Sequence, residues 1–114
     1  MERIVEQSLL YDFYGELLTE HQQQIYEAAV FEDYSLSEIA KDEGISRQGV
    51  HDLLKRCNKS LEEYEKKLHL VEKFKKVKQS VEGIQKKAEV FKETREVALI
   101  DEIEGISREI LEEL

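Results

Sequence analysis

The sequence predicts an all-α bundle with a long charged helical extension at its C-terminal side, and three observations predict it. Proline is absent and glycine occurs only five times in 114 residues, so little in the chain stops helices or shapes tight hairpins. Apolar residues recur at spacings of three and four along almost its whole length. Hydroxyl residues followed three positions later by Glu or Gln mark helix starts. With 40% apolar, 38% charged and 8% aromatic residues, the interior must be thin, suited to one small domain or a domain with an appendage.

From Glu2 to Leu18, Val5, Leu9, Phe13 and Leu17 recur every fourth position, predicting an amphipathic helix with that stripe inward. Thr19 and Gln22 have capping-box spacing and open a second helix to about Phe31, with Ile25, Ala28, Ala29 and Phe31 facing the core. Ser35 and Glu38 repeat the arrangement at the start of a short helix carrying Leu36, Ile39 and Ala40, which Gly44 terminates. Beyond Ser46 runs the longest periodic signal: Val50, Leu54, Cys57, Leu61, Tyr64, Leu68 and Val71, a heptad seam suited to helix packing. The seam then restarts three residues on as Phe74, Val77, Val81, Ile84, Ala88 and Phe91. Such a slip predicts a bend or boundary near residues 69–74. Leu99, Ile103, Ile106, Ile110 and Leu114 form a last seam. The expected division is a domain over 1–70 and an extension over 71–114.

Residues 35–56, SLSEIAKDEGISRQGVHDLLKR, combine a capped short helix, a turn centred on Gly44 and a second helix capped by Ser46. That is the layout of a helix-turn-helix, with Ala40 small at the crossing and Ile39, Ile45, Val50 and Leu53 as shared core. At about 100° per residue, Val50, Leu53, Leu54 and Cys57 group on one side of the second helix. Arg47, Gln48, His51, Asp52, Lys55 and Lys59 group on the other. Arg47, Lys55, Arg56 and Lys59 against Asp52 give this stretch a local charge of +3. Arginine can pair bidentately with guanine, glutamine with adenine, and lysine can hold phosphate. The candidate nucleic-acid-binding residues are therefore Ser46, Arg47, Gln48, His51, Lys55, Arg56 and Lys59. Gly49, in the first turn of the same helix, costs helix stability but leaves room for close approach of a phosphate.

These residues resemble the helix-turn-helix of region four in bacterial RNA polymerase sigma factors, whose second helix reads promoter DNA. They resemble still more closely the YlxM family, the UPF0122-type small bacterial helix-turn-helix proteins. The likeness rests on YDFYGELLTEHQQQIYE at 11–27, FEDYSLSEIAKDEGISRQGVHDLLKR at 31–56 and LEEYEKKLHL at 61–70. Residues 71–114 are similar only as a charged helical tail, and Gly49 stands where the family pattern suggests alanine. The resemblance implies a sigma-region-four-like fold and a non-enzymatic regulatory role. It also implies a link to the signal recognition particle, because genes of this family commonly lie beside those of the particle's GTPase and its receptor.

Charge limits the partners. There are 26 acidic and 17 basic side chains, a net −9, whereas a general nucleic-acid binder is expected to be basic. Residues 66–95 hold ten basic groups and four acids, a net +6, and residues 96–114 hold seven acids and one arginine, a net −6. Two oppositely charged helical segments thus adjoin. Folding back on each other is one expectation for them, and a docking surface for RNA or protein on the lysine-rich segment is the other.

Cys57 is the single cysteine and lies on the apolar seam, which predicts a buried structural thiol, no internal disulfide and a cytoplasmic protein. His21, His51 and His69 have no metal-ligand spacing, and His51 and Cys57 are about 240° apart around one helix. Glycine loops for phosphate and serine elbows are missing as well, so neither an enzyme nor a cofactor, metal or small-molecule substrate is expected. No apolar run of roughly 18 residues predicts a signal peptide or membrane anchor. The partners predicted are DNA, or the RNA or protein of the signal recognition particle. A homodimer packed through the C-terminal helices is expected too, because the long seam offers more apolar surface than one helical layer covers.

Overall fold

A computed structural model describes residues 3–114, which divide into two compact units, one ending at His69 and the other spanning Leu70–Leu114. All regular structure among the described residues is helical. The first unit contains α1 (Arg3–Tyr14), a 3-10 turn (Gly15–Leu17), α2 (Glu20–Val30), α3 (Leu36–Glu43) and α4 (Arg47–Leu68). Glu2, assigned to the first helix above, lies outside the described residues.

Helix α4 is the spine: α2 and α3 pack against it, and so does α1. One core cluster joins Ile25, Ile39, Ala40 and Val50, with Ala28, Ala29, Leu36, Leu53 and Leu54 against it. Further along α4, Cys57 and Leu61 are fully buried, as the heptad seam predicts. Here the aromatic residues collect. Tyr11 stacks on Tyr26 at 5.1 Å between ring centroids, and Tyr14 lies 6.0 Å from Tyr64. The buried hydroxyls are paired, Tyr14 donating to Glu65 Oε1 and Tyr26 donating to Asn58 Oδ1 at 2.8 Å.

The predicted stripe of α1 is displaced by one residue. Val5, Phe13 and Leu17 are exposed, Leu17 by 56%, while Leu10, Tyr14 and Leu18 are buried. Tyr14 turns inward to place its hydroxyl on Glu65, so the real stripe carries a polar residue that simple periodicity passes over. Beside it the chain tightens into the 3-10 turn at Gly15, where a Cβ would come within 2.9 Å of the Tyr11 ring. Phe31 is likewise exposed, at the C-cap of α2 and beside the rings of Tyr11 and Tyr26, whereas Tyr26 is fully buried. Ile45 is 40% exposed rather than a core residue.

Both capping boxes form. Thr19 Oγ1 accepts from Gln22 N at 3.1 Å while Gln22 Oε1 accepts from Thr19 N, and Ser35 with Glu38 does the same at 3.0 and 2.9 Å. Hydrogen bonding to Ser35, from its backbone amide first and then its side chain, holds the Glu38 carboxyl below its ordinary pKa. Helix α4 ends at His69, which takes the left-handed conformation (φ 57°) within the stretch where the seam slips.

In the second unit, α5 (Leu70–Thr94) and α6 (Ala98–Glu113) form an antiparallel hairpin. Its register is read from three points: Lys76 beside Glu113 at 4.0 Å, Gly83 facing Ile106, and Lys87 bonded to Glu102 at 2.8 Å. Each pair sums to the same residue number, so the helices stay in step without a slip. The oppositely charged segments therefore fold back on each other.

Candidate nucleic-acid interface

The turn between α3 and α4 sets the geometry of the motif. Gly44 adopts φ 68° and ψ 31°, and its N–H and that of Ile45 both donate to the carbonyl of Ala40, which closes α3. The chain emerges at Ser46, whose Oγ accepts from Gly49 N at 2.9 Å and starts α4. Ala40, buried, lets the two helices cross closely above Val50.

Every predicted contact residue falls on the exposed side. Ser46, Arg47, Gln48, His51, Lys55, Arg56 and Lys59 are all exposed, opposite buried Val50 and Cys57. From Arg47 to Lys59 the face runs about 18 Å along the helix, at 1.5 Å per residue. A shallow groove lined by Asp52, Lys55, Arg56 and Lys59 lies along it. A second depression is bordered by His51, Leu54, Lys55 and Asn58, so Lys55 stands between the two. The chemistry on offer is a short run of cations on a rigid helix, with a glutamine and a histidine among them.

Asp52 has a role that charge counting misses. Its Oδ1 accepts from Gln48 Nε2 at 3.0 Å and lies 3.6 Å from His51 Nδ1. The Gln48 bond, with smaller help from His51 and Arg56, holds its carboxyl below the usual carboxylate range. Asp52 thus restrains two of the candidate reading side chains at once. The i, i+4 spacing of Gln48 and Asp52 was the signal available for it. Asn58 was also passed over, and it anchors the face from beneath through Tyr26.

The elements around the face limit it. Helix α3 carries Glu38, Asp42 and Glu43 against Lys41, and Glu43 pairs with His21 at 2.7 Å. Glu62 and Glu63, both exposed, follow the face on α4. Glu62 and Glu63 therefore separate the cationic face of Arg47–Lys59 from Lys66 and Lys67 in the last turn of α4. A Cβ at Gly49 would sit 3.2 Å from Ser46 Oγ, so alanine there needs only a slight shift of a serine hydroxyl. Cys57 is fully buried, and burial pushes its thiol pKa up despite the nearby Arg56. Among the described residues no group of three His, Cys, Asp or Glu side chains could hold a metal ion, and no helix is long and apolar enough to cross a membrane.

Comparison with known proteins agrees with this layout. Residues 1–103 match a family described as "Putative helix-turn-helix protein, YlxM / p13 like". A UPF0122 protein of Thermoanaerobacter sp. (strain X514) is 46% identical over 106 residues, covering 92% of this chain and 91% of the relative. One from Caldanaerobacter subterraneus subsp. tengcongensis is 53% identical over 77 residues, covering 68% and 66%. One from Clostridium acetobutylicum is 42% identical over 108 residues, covering 91% and 93%. With the helix-turn-helix geometry in place and the match running through both units, the chain belongs to the UPF0122 family of YlxM/p13-like helix-turn-helix proteins.

Proposed function

We propose that this is a cytoplasmic regulatory protein that contacts nucleic acid through the exposed face of α4 and acts in the signal recognition particle pathway, on the particle's RNA or protein. The single observation that carries the contact surface is the grouping of Arg47, Gln48, His51, Lys55, Arg56 and Lys59 on one exposed side of a capped helix. The pathway rests on the YlxM resemblance. Net charge of −9 argues against loose binding to any polyanion, because neutralised phosphates supply most of non-specific affinity. A partner met at one surface fits better.

A second reading, a sequence-specific transcription regulator that reads duplex DNA, is favoured by one detail. Arg47 and Gln48 stand in the first turn of α4, where a recognition helix touches base edges. One experiment separates the two. Partners are recovered from cell lysate with the wild type and with Arg47→Ala plus Lys55→Ala. Enrichment of particle RNA or its GTPase that disappears in the variant is expected. Enrichment of a discrete DNA sequence transfers the conclusion to the second reading, and an unchanged partner set removes α4 from both.

A further inference from the structure

The α5–α6 hairpin is lopsided. Its ion pairs, Lys87 with Glu102 and Lys76 with Glu113, lie along one side of the seam between the helices. At about 100° per residue, Val77, Val81 and Ala88 of α5 and Ile100 and Leu111 of α6 fall on the opposite side. Two antiparallel helices turn their angular sense oppositely, so these residues share one face of the hairpin. Val81 is 49% and Leu111 70% exposed, and no residue of α6 is buried although its apolar seam spans the whole helix. Two helices cannot enclose both stripes, and four can.

We propose that this face is an isologous dimer interface on which a second copy of the chain stacks its own hairpin, α5 of one copy over α6 of the other. Charge selects both the occupant and the orientation. Helix α5 carries seven lysines and four glutamates, a net +3, whereas α6 carries six acids and Arg108, a net −5. Lys78, Lys92 and Glu89 border the apolar face on the α5 side, a net +1, and Asp101, Glu104 and Arg108 border it on the α6 side, a net −1. A two-fold axis can stack the face on itself with α5 over α5 or with α5 over α6. The first sets lysine against lysine and acid against acid. The second brings each lysine border onto an acidic one, twice over by symmetry, which a second copy supplies without any other partner. The inference is independent of what α4 contacts.

Sedimentation of the full chain at micromolar concentration tests it, with a species of twice 13.4 kDa expected. A wild-type species of 13.4 kDa overturns the proposal. Val81→Glu, at an exposed position, should weaken dimerisation by at least about tenfold with unchanged helical content. Leu17→Glu, on the exposed side of the first unit, should leave it intact. A dimer that survives Val81→Glu or dissociates with Leu17→Glu overturns the location. Orientation is read by charge reversal. Lys78→Glu plus Lys92→Glu, and separately Asp101→Lys plus Glu104→Lys, should each be mainly monomeric, and mixing them should restore a heterodimer. Failure of the mixture to associate overturns the α5-over-α6 arrangement.

Discussion

Tyr14 shows what a single buried hydroxyl can decide. It is 1% exposed, and its bond to Glu65 ties α1 to the C-terminal half of α4. Tyr14→Phe keeps the ring and removes the donor, which should cost about 1.5 kcal/mol, read as a lower urea midpoint at unchanged slope. Tyr11 donates to Glu27 Oε2, and burial first, then that bond and the Glu27 charge, raise its pKa above the ordinary tyrosine value. A raised pKa favours the neutral phenol in the folded state. Its contribution to stability is therefore complete below pH 10, the unfolded value, and is lost as pH climbs past it. Stability should fall above pH 10, and less steeply in Tyr11→Phe when melting is followed against pH. Cys57 should resist iodoacetamide in the native protein and react fully in urea, as mass spectrometry would show, because the buried thiol is both shielded and poorly ionised.

At the scale of elements, local chemistry sets the boundaries. Thr19, Ser35, Ser46 and Gly44 were all legible in the sequence because caps and left-handed turns depend on neighbours a few residues away. A Cβ at Gly44 meets nothing within 4 Å, so Gly44→Ala should cost only the backbone penalty, about 1 kcal/mol in thermal or urea unfolding. The break after α4 was legible as a slip in the heptads, but not the residue that makes it. His69 is not the glycine that most often marks such a turn, and the seam marks the interval where the apolar face must rotate, not which residue absorbs the turn. The stripe of α1 was misplaced for a related reason. Spacing by four fits Leu10, Tyr14 and Leu18 as well as Val5, Leu9, Phe13 and Leu17, and only packing against α4, with the Tyr14 bond to Glu65, selects the first set.

For the whole molecule, charge segregation matters more than total charge. A strongly acidic chain holds a cationic face on α4 at Arg47, Lys55, Arg56 and Lys59, with acids on α3 and at Glu62 and Glu63 around it. If the Arg47–Lys59 face of α4 supplies the phosphate contacts to a duplex DNA probe, its four cations neutralise at most four phosphates. The slope of log affinity against log salt should then be no steeper than about −3.6. Lys55→Ala should reduce it by about 1 in a fluorescence-anisotropy titration. A markedly steeper slope would bring the lysines of α5 into the contact.

The sequence by itself determined the helices, their caps, the helix-turn-helix and the polarity of α4, because periodicity and capping are properties of short stretches of chain. It carried the candidate site as a set of residues on one arc. Tertiary structure alone decided the rest, since contacts between distant positions choose among rotations and partners that the pattern leaves equivalent. Such contacts made Tyr14, Tyr26 and Asn58 part of the frame and left Phe13, Phe31 and Ile45 outside it. Side-chain geometry turned Asp52 from one negative charge into the residue that holds Gln48, and packing set α6 on α5 at a fixed register with one apolar side uncovered.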